Sequence, residues 1–116
     1  MPLTADSLRL YPMRSYFDSG LTRFPNFRIV QLRLLKSAIV KYEHEISEAL
    51  FTDLKKSKEE SFAAETGLIL KEISVALKNL QRWMRPVGVK TNLLNFPSSS
   101  RILPQPKGVV LIISPW

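Results

Sequence analysis

The 116 residues contain one histidine, His44, and no cysteine. Without a thiolate there is no sulfur nucleophile, no disulfide and no thiolate metal site. One imidazole cannot pair with a second around a metal, and any Ser-His-Asp triad would depend on that single ring. His44 stands between Glu43 and Glu45 in a helical stretch, which reads as a surface position. Glu59 and Glu60 are adjacent, so on a helix they point about 100° apart and do not face one substrate as acid and base. Gly20, Gly67, Gly88 and Gly108 are scattered, so there is no Gly-rich phosphate loop. Asn92 and Asn95 open no glycosylation sequon. The residues taken alone offer no catalytic group and no metal site.

The last nine residues carry more information. Val109-Val110-Leu111-Ile112-Ile113 is an unbroken apolar run rich in β-branched side chains. Such a run reads as a strand buried on both faces. It leads into Ser114-Pro115-Trp116, where Pro115 has no N–H and cannot extend a ladder. A buried strand closing on a small-Pro-Trp turn is how an open α/β sheet presents a ligand-facing loop.

Length and composition allow one modest core. The chain is 45% hydrophobic, an ordinary globular share and well above a disordered one. No apolar run approaches the ~20 residues of a membrane span. The opening Met1-Pro2-Leu3-Thr4-Ala5-Asp6 lacks the basic-then-apolar order of a signal peptide, so the expected location is cytoplasmic. Net charge is +7 and unevenly spread. Residues 1–41 hold seven Arg or Lys against two Asp, residues 42–85 are almost neutral, and residues 86–116 have three basic groups and no acid. A basic front can bind phosphates. No aromatic-rich basic motif accompanies it here, so it reads as a solvated helix face and no nucleic-acid partner is expected.

The elements follow from hydrophobic spacing. Asp6 to Leu10 can open a helix, which Pro12 should break or kink. Ser19-Gly20 signals a turn. Leu32, Leu35, Ile39, Tyr42, Ile46 and Ala49 recur at three- and four-residue steps, one helix face, within a pattern running from about Phe27 to Leu54. That length suggests a break near Tyr42–Glu45. Ser57-Lys58-Glu59-Glu60 fits a capping box and predicts a new helix from Lys58, divided at Gly67. Ile69, Ile73, Ala76, Leu80 and Trp83 form a second stripe, with Trp83 read as packing, ended by Pro86 and Gly88. Val87 to Phe96 reads as a strand, Pro97-Ser98-Ser99-Ser100 as a turn, and Arg101-Ile102-Leu103 as a short return strand cut by Pro104 and Pro106.

Several stretches together resemble the N-terminal part of class 3, fatty-aldehyde-type aldehyde dehydrogenases. They are Phe17-Asp18-Ser19-Gly20-Leu21-Thr22-Arg23, Arg28 with Gln31-Leu32 and Leu35-Lys36, Ala49-Leu50 and Asp53 through Ser57. Glu72-Ile73, Leu80 and Trp83 continue the series, which closes on Pro97 through Ile102 and Gly108 through Trp116. Leu21 departs from a commonly basic residue, Lys107 from a usual Leu, and Pro12 falls where the family runs its first helix. The family motif continues past Pro-Trp with Asn-Tyr-Pro, so the resemblance implies a chain truncated just before that Asn.

The resemblance implies an α/β fold, the aldehyde dehydrogenase fold. This chain would supply a helical N-terminal segment (1–86), a β-hairpin of the oligomerisation domain (87–107), and the first buried strand and turn of the NAD(P)-binding sheet (108–116). It implies oxidation of aldehydes, medium- to long-chain or aromatic, to carboxylic acids with NAD or NADP. The cysteine nucleophile, the glutamate that activates water and the oxyanion-holding Asn would all lie beyond residue 116, leaving this chain inactive and binding no cofactor by itself. Ile113, Ser114, Pro115 and Trp116 would touch the cofactor, chiefly through backbone atoms. The partners implied are the aldehyde and a second copy, as a homodimer or through exposed strand edges. Many class 3 relatives carry a C-terminal membrane anchor, so a membrane role stays open. A reading of a different class is a non-catalytic helical interaction module derived from such an enzyme.

Overall fold

The computed structural model describes residues 5–113, and among them helices dominate. They are α1 (Ala5–Asp18), α2 (Pro25–Lys41), α3 (Glu43–Leu54), α4 (Lys58–Ser61) and α5 (Gly67–Trp83). A two-stranded hairpin follows, β1 (Val87–Val89) and β2 (Ser100–Ile102). The chain divides into two compact units, residues 29–82 and residues 1–28 with 83–116. No described helix is long and apolar enough to cross a membrane.

The first unit in chain order begins with α1, which runs through Pro12 rather than breaking there. The expected break does not occur. Pro12 removes one helix hydrogen bond, and its neighbours Tyr11 and Met13 are exposed, so no packed core is disturbed beside it. Gly20 follows α1 with φ of 80°, a left-handed conformation that favours glycine. The Gly20 amide donates to the Phe17 carbonyl at 3.0 Å, and the Ser19 hydroxyl donates to the Tyr16 carbonyl at 2.6 Å.

The second unit bears out the long helical pattern and its break. α2 and α3 meet at Tyr42, whose φ of −102° and ψ of 20° leave the helical region for one residue. Hydrogen bonds run on across it, from the Tyr42 amide to Ala38 and from the Ile46 amide to Tyr42. α3 ends where Lys55 turns left-handed at φ 57° and its amide closes on Phe51 at 2.9 Å. Ser57 caps α4 as the capping box predicts, its hydroxyl accepting from the Glu60 amide at 3.2 Å.

Between α4 and α5, residues Phe62–Thr66 wind as a π turn. The Gly67 amide reaches back to the Phe62 carbonyl, a five-residue step. Gly67 is required there: a Cβ would stand 2.6 Å from that carbonyl oxygen and 3.3 Å from the Phe62 ring. The π turn also changes phase. Residues five apart on an α-helix point about 140° apart. Here Ser61 and Thr66 are both buried, at 1% and 4% exposure. On α5 the least exposed side is Leu70, Ile73, Ala76, Leu77 and Leu80, with Ile73 at 5% the one buried hydrophobic side chain among the described residues. Ile73, Ala76 and Leu80 therefore sit where the periodicity put them. Ile69 and Trp83 lie on the exposed flank, so Trp83 is not the packing residue expected.

The hairpin pairs antiparallel with Val87 opposite Ile102, Gly88 opposite Arg101 and Val89 opposite Ser100. The first strand is shorter than the Val87–Phe96 expected. Asn92 accepts the Leu94 amide through its side chain at 3.2 Å and starts a 3-10 turn over Leu93–Asn95, a local bond that competes with the ladder.

The largest correction concerns the first buried strand. Val109–Ile113 takes no strand conformation, and Leu111, Ile112 and Ile113 are 83%, 83% and 86% exposed. A doubly buried strand needs a neighbour on each side and cover on both faces. Among the described residues the sheet is β1 and β2, and the run pairs with neither.

Candidate functional site

Of the four residues expected to meet a cofactor, Ile113 is described and is exposed on an unpaired segment. Ser114, Pro115 and Trp116 lie outside the described residues. A dinucleotide site of this kind is made by a sheet edge and the turn leaving it. The described residues supply neither at Ile113, so they do not by themselves fit an NAD(P) pocket.

The residues with possible chemistry remain apart. His44 sits on α3 with its side chain 74% exposed and Nδ1 3.6 Å from Glu48, a surface pair one turn apart. A cavity of about 460 Å³ lies beside it, lined among others by His44, Glu48, Thr52, Lys56 and Lys58. Two of its groups are engaged with protein. The Lys56 ammonium reaches Glu65 at 2.5 Å, and the Thr52 hydroxyl donates to the Glu48 carbonyl at 2.9 Å. Among the described residues His44 makes no hydrogen bond to the Ser47 or Thr52 hydroxyl beside it. Among the described residues no group of three His, Asp or Glu converges to hold a metal.

Four cations of the basic front are likewise engaged. Arg23 lies over the Phe17 ring at 5.3 Å, and Arg28 Nε donates to the Thr22 carbonyl at 2.8 Å. Lys36 donates to the Ser74 hydroxyl at 3.0 Å, and Lys41 lies over the Tyr42 ring at 5.1 Å. These are contacts of cations with their own fold.

The turn signalled by Ser19-Gly20 extends from Phe17 to Arg28. In the structure it is closely bonded: Ser19, Gly20, Thr22, Arg23 and Arg28 all bond within it, and Tyr16 meets Phe27 edge-on at 6.1 Å. Phe17 also lies against Gly108, whose φ is 91°. The sequence signal available was the pair of glycines, Gly20 and Gly108, each at a left-handed position.

No family model matches the chain. Individual relatives do. The 4,4'-diaponeurosporen-aldehyde dehydrogenase of Staphylococcus aureus is 43% identical over 108 residues, 93% of this chain and 24% of that protein. Aldehyde dehydrogenase family 3 member H1 of Arabidopsis thaliana is 43% identical over 104 residues, 90% of this chain and 22% of the relative. Family 3 member B2 of Mus musculus is 43% identical over 107 residues, 92% and 22%. Among solved structures, the substrate-bound state of Staphylococcus aureus AldH superposes with a TM-score of 0.82 at 39% identity, covering 86% of this chain and 22% of that one. The chain thus spans about a quarter or less of the relatives it matches. Its helices followed by an antiparallel hairpin are those of the matching segment, and in sequence and fold the chain matches the N-terminal part of class 3 aldehyde dehydrogenases.

Proposed function

We propose that this chain is the N-terminal layer of an oxidoreductase that converts aldehydes, medium- to long-chain or aromatic, to carboxylic acids in the cytoplasm. The overall change would be aldehyde plus water plus NAD(P)⁺ giving acid plus NAD(P)H plus a proton, the nicotinamide taking the hydride. The reading is carried by 43% identity spread over 93% of the chain to a protein named as an aldehyde dehydrogenase.

In this reading the chain's own contribution is structural. With no cysteine in its sequence it offers no soft nucleophile for a carbonyl carbon. The nucleophile, the water-activating carboxylate and the oxyanion donors belong to the remaining part of such an enzyme. The hairpin would join the oligomerisation region, and residues 108–116 would lead into the NAD(P)-binding sheet, where Val109–Ile113 would gain the neighbours it lacks here.

A chimera tests this. Residues 1–116 replace the matching segment of Staphylococcus aureus AldH, and aldehyde-dependent reduction of NAD and NADP is followed by absorbance. Turnover by the chimera and none by the isolated chain is the expected result. A folded chimera without turnover, or turnover by the isolated chain, would overturn the reading.

A further inference from the structure

The turn between α1 and α2 does something that neither a cofactor site nor an oligomer interface explains. Phe17, in the last turn of α1, places three ring carbons 3.5, 3.7 and 3.8 Å from the point where Gly108 would carry a Cβ. The same ring is covered by the Arg23 guanidinium at 5.3 Å. Both residues are held in turn. The Phe17 carbonyl accepts from the Gly20 amide, and the Arg23 amide donates to the Gly20 carbonyl, each at 3.0 Å. Arg28 ties the far side by donating to Thr22.

Gly108 is the point at which the chain leaves this turn for Val109–Ile113. Its φ of 91° is one that L side chains rarely adopt. The space beside it is at ordinary contact distance, so glycine is needed there for backbone direction rather than for room. Lys107 and Val109, on either side, are exposed.

We propose that Phe17, backed by Arg23, is a clamp on Gly108 that sets the direction in which residues 109–113 run on from Gly108. Phe17 and Arg23 are positioning residues: their effect on any reaction is exerted through the segment they aim. That the segment is aimed at a dinucleotide-binding sheet rests on the function proposed above; the clamp itself does not.

The test uses the 116-residue chain and then the chimera. In the chain, the Phe17 ring at this distance is expected to displace the Gly108 Hα resonances from their random-coil positions. Phe17→Leu is expected to return them there while helical circular dichroism holds, and Phe17→Tyr to keep them displaced. Gly108→Ala, which opposes the left-handed backbone, is expected to change the Val109 and Val110 amide shifts with Phe17 intact. Unchanged Gly108 resonances in Phe17→Leu, or loss of displacement in Phe17→Tyr, would overturn the clamp. In the chimera, Phe17→Leu is expected to lower turnover on the order of tenfold or more at unchanged melting temperature, the scale by which remote misplacement slows chemistry. Lost resonance displacement with unchanged turnover would overturn the aiming role and leave the clamp. An inactive parent chimera would instead overturn the function, with the clamp still judged by the Gly108 resonances.

Discussion

Ser57 shows how far single residues could be read ahead of the structure. A hydroxyl three residues before Glu60 has one favoured use at a helix start, and the structure has it accepting from the Glu60 amide. Ser57→Ala should therefore cost about 1 kcal/mol of stability, the usual value of such a cap, measured as a lower midpoint in urea unfolding. His44 was legible in the same way, since carboxylates on both sides leave little chance of a buried ligand, and it stands exposed beside Glu48. Apolar type alone does not say which flank of a stripe faces inward, and Trp83, at the end of its stripe, lies half-exposed.

At the scale of elements, α2, α3 and α5 and the break at Tyr42 were visible in three- and four-residue spacing, because helix periodicity is a local property. The π turn was not visible. Gly67 marked a division, but only the structure shows the backbone reaching from Gly67 to Phe62, with no room for a Cβ. Two terms oppose each other in Gly67→Ala. Alanine gains about 1 kcal/mol of helix propensity, and forcing a methyl onto a backbone oxygen costs roughly 1–3 kcal/mol. The clash should win, giving net destabilisation on the order of 1 kcal/mol in chemical denaturation. A variant more stable than the parent would mean that residues 62–66 relax to ordinary helix at no cost. In the hairpin, the pairing of residues 87–89 with 100–102 was anticipated in order. The shortening of its first strand was decided by the side-chain bond of Asn92.

For the whole molecule the deciding quantity is exposed apolar surface. Leu93, Leu94, Phe96, Leu111, Ile112 and Ile113 are each more than 80% exposed. Apolar runs of high β-propensity without charge are templates for association. The isolated chain should therefore associate as concentration rises, seen as increasing scattering mass. Ile112→Lys, placing a charge in the middle of the run, should shift that association to severalfold higher concentration with unchanged helix content. A monodisperse monomer throughout, or an Ile112→Lys variant that associates like the parent, would show that this segment is not the sticky one.

The residues alone determined which chemistry is impossible without a cysteine, where the helices lie, and a likeness in the order of short motifs from residue 17 onward. These are properties of composition and of near neighbours along the chain. The tertiary structure decided what depends on groups far apart in sequence. It showed that Phe17 reaches Gly108, that Lys56 pairs with Glu65, and that Val109–Ile113 remains unpaired. A strand's character is written in its side chains, but a ladder needs a second chain segment to receive its hydrogen bonds, and only three-dimensional contact can say whether one is there.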